Sequence, residues 1–389
     1  MKVTISDAVK YIGVDDKTID LFESQYVVPK GVSYNSYLIL DEKVALMDTV
    51  DVRGMKEWEK NLTETLAGRK VDYLVIQHLE PDHAGSIGRL LELYPDVTLV
   101  GNAKTFAMLP QFFDIDPNVK KLTVAEGDTL SLGNHTLTFV MAPMVHWPEV
   151  MVTYESTEKI LFSADGFGKF GALDSEDEEG WSCEARRYYF NIVGKYGAPV
   201  QALLKKAANL DIQTICPLHG PVLKENLGYY IGLYDTWSSY RPEDKGVLVA
   251  YASIHGNTAK AAEKFAEMLR AKGVEKVVVS DLAREDMAEV IEDAFRYDRM
   301  VVAGASYDGG VFPCMQDFLH HLQSKAYQNR TIGIIENGSW GPTAGRTMKA
   351  ILETMKNVTI VDPMVTIKST MKESDMPALE ALADAIANA

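Results

Sequence analysis

The sequence predicts two α/β domains in tandem: a mixed domain of many short strands with occasional helices, then a doubly wound parallel sheet. Three observations carry this. The chain has 389 residues, enough for two or three cores at about 150 residues per domain. Its composition, 47% hydrophobic and 24% charged, is that of a folded globular protein and not of a disordered or low-complexity chain. The rhythm of apolar runs also changes at the polar segment Arg241-Pro242-Glu243-Asp244-Lys245-Gly246, which reads as a linker and gives domains 1–245 and 246–389.

In the first half the apolar runs Val44–Met47, Tyr73–Ile76, Leu137–Met141 and Ile160–Phe162 are bounded by turn residues and read as strands, with a helix over Met55–Leu66. In the second half strands and helices alternate. Strands are expected at Gly246–Tyr251, Val277–Ser280, Met300–Gly304, Thr331–Ile335 and Thr359–Val361. Helices are expected at Thr258–Lys272, Met287–Phe295, Met315–Gln323, Ala344–Met355 and from about Ala378. Ala262, Phe265, Ala266 and Leu269 recur at i, i+3, i+4 and i+7, one apolar face for a sheet. Such alternation implies a parallel, doubly wound sheet.

A net charge of −16 repels phosphate backbones and anionic lipid, so neither nucleic acid nor membrane is an expected partner. The first twenty residues lack the apolar stretch of a secretory signal. Cys183, Cys216 and Cys314 form no C-x-x-C pair, which argues against disulfides or a cysteine metal site and points to a reducing cytoplasm.

Ile76-Gln77-His78-Leu79-Glu80-Pro81-Asp82-His83 places four metal-type ligands directly after a strand. In an extended segment His78 and Glu80 share a side, and Pro81 biases Glu80 away from the α region, so the next turn can present Asp82 and His83. Alone, this pattern also suits an ordinary polar loop. Three further strands lead to a ligand: Phe139-Val140-Met141 to His146, Ile160-Leu161-Phe162 to Asp165, and Ile215-Cys216 to His219. Converging strand ends would supply His78, Glu80 and His146 to one ion and Asp82, His83 and His219 to another, with Asp165 able to bridge. His135, in the turn Gly133-Asn134-His135, is expected to be exposed, and His320 and His321 to face solvent.

In the second half, Ser253-Ile254-His255-Gly256-Asn257-Thr258 opens a helix after a strand, where hydroxyls and free N–H groups bind a phosphate without a basic side chain. Asn and Thr also cap helices that hold no ligand. No G-x-x-x-x-G-K-[ST] lysine is present, which argues against an ATPase or GTPase. Ser306-Tyr307-Asp308-Gly309-Gly310 and Asn337-Gly338-Ser339-Trp340-Gly341 follow later strands, at the carboxyl edge where open α/β sheets bind ligands. A flat flavin ring fits there, with Tyr307 or Trp340 stacking on it; aromatics that merely close a loop are the alternative.

The order H-x-E-x-D-H, His146, Asp165, His219 resembles the metallo-β-lactamase fold, an αββα sandwich. Zinc hydrolases of that fold typically carry His where this chain has Glu80, and the added carboxylate suits iron better. This branch followed by a flavodoxin-like domain resembles the flavodiiron proteins over essentially the whole chain. The flavodoxin match implies FMN, since the second half has one phosphate loop and no G-x-G-x-x-G fingerprint.

The resemblance implies that FMN passes electrons to a diiron centre that reduces O2 to water or NO to N2O. By the same resemblance Tyr188 and Tyr189 are candidates near the diiron pocket, with Tyr26 and Tyr34 behind them. It further implies a head-to-tail homodimer, or a dimer of such dimers, in which the FMN of one subunit abuts the diiron site of the other. No C-x-x-C pair for a fused rubredoxin follows the second domain, so the expected electron donor is a separate rubredoxin, with a deazaflavin as the other option. Two rival readings are a binuclear zinc hydrolase with an appended flavodoxin-like module and a non-enzymatic electron carrier that has lost its metal.

Overall fold

A computed structural model describes residues 4–175 and 180–389. Apolar runs bounded by turns become strands, and the strands assemble into two compact units: Met1–Tyr189 with Ala198–Asp235, and Phe190–Gly197 with Thr236–Ala389. The polar segment at 241–246 is ordered from within: Glu243 accepts from Trp237 Nε1 at 2.7 Å, and Asp244 pairs with Arg296 and Lys276 and already begins a strand, Asp244–Ala252.

The first unit is a sandwich of a six-stranded and a five-stranded sheet. The six-stranded sheet runs in the order Val9–Tyr11, Tyr37–Leu40, Val44–Met47, Tyr73–Val75, Thr98–Asn102, Lys121–Val124. The five-stranded sheet runs Thr129–Ser131, Thr136–Met141, Met151–Glu155, Ile160–Phe162, Thr214–Cys216. Tyr37, Ile39, Met47 and Val100 from one sheet meet Phe139, Met151, Ile160 and Phe162 from the other in a single buried cluster. Each such side chain contributes roughly 2 kcal/mol by burial, which makes the sandwich a stiff base for its loops. The expected helix Met55–Leu66 buries Trp58, Leu62 and Leu66 at i, i+4 and i+8. These are the layers of the αββα arrangement.

Strand direction explains where the loops go. Tyr73–Val75 is parallel to both its neighbours, so its carboxyl end opens at the sheet edge. Thr136–Met141 and Ile160–Phe162 are both antiparallel to Met151–Glu155, and Thr214–Cys216 is parallel to Ile160–Phe162. Their carboxyl ends therefore share one edge, and the loops bearing His146, Asp165 and His219 leave from it.

The second unit has the strand order Val277–Asp281, Asp244–Ala252, Tyr297–Tyr307, Arg330–Asn337, Val358–Ile360, parallel throughout. The short strand Val365–Ile367 extends the pairing of Arg330–Asn337, and Gly310–Val311 folds back on Tyr297–Tyr307. Helix Asn257–Ala271 lays Ala262, Phe265, Ala266 and Leu269 on this sheet. The 2-1-3-4-5 order is the flavodoxin-like one, whose switch point lies between the first and third strands. No helix among the described residues is long and apolar enough to cross a membrane.

One histidine departs from expectation. His135 is not an exposed loop residue but buried: its Nδ1 lies 2.8 Å from Asp41 Oδ2 and its Nε2 3.2 Å from Glu158 Oε1. A carboxylate far away in sequence draws the turn inward. His320 is exposed and His321 half-buried beside Asp317, both on the helix Pro313–Ser324.

Candidate metal centre and ligand cleft

Glu80 keeps an extended backbone (φ −56°, ψ 136°) before Pro81, which occupies the first turn of the short helix Pro81–Ala84. This kink turns one strand end into two sets of ligands. Glu80 Oε2 lies 3.2 Å from His78 Nε2 and 3.0 Å from His146 Nε2, while Asp165 Oδ2 lies 3.2 Å from both imidazoles. On the other side His83 Nε2 is 3.1 Å from Asp165 Oδ1 and 3.3 Å from Asp82 Oδ2, and His219 Nε2 is 3.2 Å from Asp82 Oδ2. The donor atoms thus converge in two groups, His78/Glu80/His146/Asp165 and Asp82/His83/His219. Each oxygen of Asp165 faces one group.

Their environment fits a pair of cations. Ligand atoms about 2.1 Å from an ion stand about 3.0–3.4 Å from one another, the separation seen here. Both oxygens of Asp82, both of Asp165, and the Nε2 atoms of His83 and His219 are buried without a hydrogen-bond partner among the described residues. Buried polar atoms are rarely left so.

Charge is shared unevenly in the metal-free cluster. Burial pushes the Asp82 carboxyl up to about 7, with Glu80 and Asp165 adding to the push. Burial also works against ionising Asp165, but His83 and His78 outweigh it and hold that carboxyl well below its usual range. Burial opposes protonation of His146, yet Asp165 and Glu80 raise it to about 9; His219, with less carboxylate against it, is lowered by burial. Protons stand in for cations here.

Outer partners fix each ring. His78 Nδ1 lies 2.8 Å from Glu149 Oε1, and His219 Nδ1 donates to the Ser33 carbonyl at 2.7 Å, which leaves both Nε2 lone pairs facing the cluster. Asp48, at φ 53°, accepts from the Gln77 backbone N–H and side-chain amide at 2.8 and 2.9 Å and so anchors the start of the loop. Glu149 and Asp48 escape a sequence reading, although Glu149 follows His146 in the loop His146-Trp147-Pro148-Glu149.

The tyrosines separate. The Tyr188 ring is 5.5 Å from the His219 ring, and its buried hydroxyl has no hydrogen-bond partner among the described residues. Burial first, then Asp165, Asp82 and Glu80, hold that hydroxyl protonated. Tyr189 instead packs edge-on against Tyr234 at 5.2 Å. Tyr34 stands 6.1 Å from the His219 ring, and the Tyr26 ring lies 6.1 Å from that of Phe170.

In the second unit a cleft of about 570 Å³ lies at the carboxyl edge. It is lined by Ser253, Ile254, His255, Asn257 and Thr258, by Ser306, Tyr307, Asp308 and Gly309, and by Asn337, Gly338, Ser339, Trp340 and Gly341. Gly256 and Gly310 do not line it; Ala305, Thr343 and Ser369 do. Gly256 shapes the turn instead, at φ +85°, and Gly310 follows the Asp308-Gly309 turn, where φ is 47° and 73°, the I′ pattern. No side chain caps helix Asn257–Ala271, so its first N–H groups remain open to an anion. At Gly338 a Cβ would come within 2.7 Å of Pro342 Cα, so the loop closes only on glycine. Tyr307 is 45% exposed and Trp340 fully so, two aromatic faces not committed to the core. An uncapped helix end, adjacent hydroxyls and exposed rings fit a flavin mononucleotide. Ser369 escapes a sequence reading because it follows a strand, Val365–Ile367, too short to announce itself.

Residues 32–220 match the family model described as ODP family beta lactamase. A nitric oxide reductase of Moorella thermoacetica is 30% identical over 383 residues, covering 96% of this chain and 95% of that protein. Among solved structures, rubredoxin oxygen:oxidoreductase of Desulfovibrio gigas superposes with a TM-score of 0.92 at 26% identity, covering 100% of this chain and 98% of that one. The flavodiiron protein of Giardia intestinalis shares the fold with a TM-score of 0.90 at 24% identity, covering 100% and 96%. Similarity that runs end to end through both units, rather than through the β-lactamase-like part alone, places the chain in the flavodiiron protein family.

Proposed function

We propose that this chain is an oxidoreductase in which FMN feeds electrons to a diiron centre that reduces O2 to water, NO to N2O, or both. The observation that carries the reading is the pair of buried donor groups sharing Asp165, with a carboxylate, Glu80, in the first of them. His78, Glu80 and His146 would hold one iron, Asp82, His83 and His219 the other, with Asp165 between them. When bound, FMN supplies electrons singly and the two irons supply redox-active positions for a diatomic oxidant.

The chain's own residues do the rest. Three carboxylates, beside four imidazoles that would bind as neutral ligands, offset the charge of two cations. Trp147 meets His78 edge-on at 5.2 Å, and Phe22 meets His219 at 5.4 Å, so apolar rings wall the cluster and limit water. Tyr188 offers a protonated hydroxyl with its hydrogen uncommitted, a donor for an oxygen atom of a bound substrate. In the 246–389 domain, Ser253, Asn257 and Thr258 would take the FMN phosphate at the open helix end, and Tyr307 or Trp340 would cover the ring. The polar segment at 241–246 bounds the diiron domain at 1–245, family resemblance implies that two copies pair head to tail, singly or as a dimer of dimers, and the cysteine usage points to the cytoplasm. The donor is a separate rubredoxin, as the name of the Desulfovibrio relative suggests.

The test is the iron and flavin content of protein produced with ample iron, followed by O2 and NO consumption with reduced rubredoxin. Two irons and one FMN per chain with turnover of either gas are expected. Zinc without flavin, together with hydrolytic activity, would replace this reading by the hydrolase.

A further inference from the structure

The loop that carries His219 is short, and little of it is regular structure. It follows strand Thr214–Cys216 as Pro217-Leu218-His219-Gly220, and Gly220 turns it sharply at φ +78°. What fixes it is a neighbouring strand end. Asn35, fully buried, donates its backbone N–H to the Leu218 carbonyl at 2.8 Å. Its side-chain Nδ2 donates to the carbonyls of Pro217 and Gly220, both at 2.8 Å, on either side of His219. Its Oδ1 accepts from the Tyr11 hydroxyl at 3.0 Å, which fixes which end of the amide faces the loop. The amide thus spans the loop like a staple.

This arrangement differs from the one at His78. There the outer partner is a carboxylate, Glu149, held on the loop that follows Thr136–Met141, and it touches the imidazole itself. Asn35 makes no hydrogen bond to His219 among the described residues; it sets the backbone from which the ring projects, while Ser33 sets the ring's rotation. Among the described residues Asn35 and Glu149 hydrogen-bond no common partner, and separate supports are lost separately.

We propose that Asn35 is a positioning residue for His219, and through it for the Asp82/His83/His219 half of the site alone. This rests on reading the site as a metal pair. Removing the amide takes one donor from each of two buried carbonyls; that of Pro217 keeps the Tyr37 hydroxyl at 2.6 Å, while the loop loosens on its Gly220 side and withdraws one imidazole from one ion.

The experiment is chelator competition against the full chain loaded with Fe(II), for wild type, Asn35→Ala and Tyr11→Phe, with Mössbauer spectra of the loaded forms. In Asn35→Ala one ion should weaken about 10- to 100-fold, the range for lost outer partners, while the other keeps its wild-type affinity. One of the two iron signals should fade with it. Tyr11→Phe removes only the group that orients the amide and should produce a smaller loss at the same ion; it decides the matter if Asn35→Ala does not fold. Equal losses at both ions, or no loss in either variant, would overturn the proposal and leave the metal pair standing. A wild-type chain that binds fewer than two ions would overturn the metal-pair reading, and the positioning role with it.

Discussion

Glu149 holds His78 and the residue after it with one carboxylate oxygen, which lies 2.8 Å from the His78 imidazole Nδ1 and accepts from the Leu79 backbone N–H at 2.9 Å. Both residues are fully buried. The pairing fixes the ring and makes it a stronger ligand through its other nitrogen. Glu149→Gln keeps the shape and loses the charge, so Fe(II) affinity should fall by about tenfold, measured by chelator competition.

Asp165→Asn and His83→Ala strike the ligands themselves. Reductase activity with O2 and NO should vanish and iron content fall below two per chain, while FMN stays bound. Wild-type turnover in His83→Ala would remove that residue from the site.

Trp340 is wholly exposed, so its loss leaves the core intact. Trp340→Ala should weaken FMN binding by about fivefold, the worth of one aromatic stack near 1 kcal/mol, without changing iron content. Flavin titration followed by fluorescence measures the change.

Tyr188→Phe removes a buried hydroxyl that no described residue accepts from, so stability should hold and iron should load normally. If the hydroxyl supplies a proton during turnover, kcat falls by about 100-fold or more. An unchanged kcat would return Tyr188 to a packing role beside Phe170.

The cluster also predicts a pH dependence. His146 is raised to about 9 and Asp82 to about 7, so both keep protons in the metal-free chain that an ion must displace. Affinity for Co(II) should therefore rise with pH, about tenfold per unit for each displaced proton, and level off above about 9. The stability of the metal-free chain should run the other way. Both groups bind protons more tightly folded than unfolded, so their contribution is present at low pH and lost through about 7 and about 9.

Asp41 and His135 form a separate test of structure. Burial works against both charges, but their mutual hydrogen bond lowers the Asp41 carboxyl and, with Glu158, raises His135. Asp41's share of stability is lost as pH falls through its depressed value, and His135's as pH rises through its elevated one, so the pair contributes most between about 4 and 6.5. Asp41→Ala should cost about 2 kcal/mol by thermal unfolding at pH 6 and leave metal and flavin binding unchanged.

Local signals in the sequence were strong where structure is local. Val44–Met47 and Ile160–Phe162 appear as strands with the bounds their apolar runs gave, and Met55–Leu66 as the helix its spacing gave. The histidines and carboxylates singled out at strand ends converge because parallel pairing brings those ends to one edge. Long-range partners were the part that stayed hidden. His135 looked exposed because Gly133-Asn134 is a turn signal, and nothing nearby announces Asp41. Glu149, Asn35 and Ser369 act across the fold through hydrogen bonds between distant segments, and no spacing rule marks such residues.

The exposure of Trp340 has a practical side. The chain has five tryptophans; Trp58, Trp181 and Trp237 are buried and Trp147 is half-buried. One indole alone stands fully in solvent, at the rim of the cleft. Its red-shifted emission, accessible to iodide, would be silenced when a ring settles over it and restored when that ring departs, so the protein carries a built-in optical gauge of its own flavin occupancy.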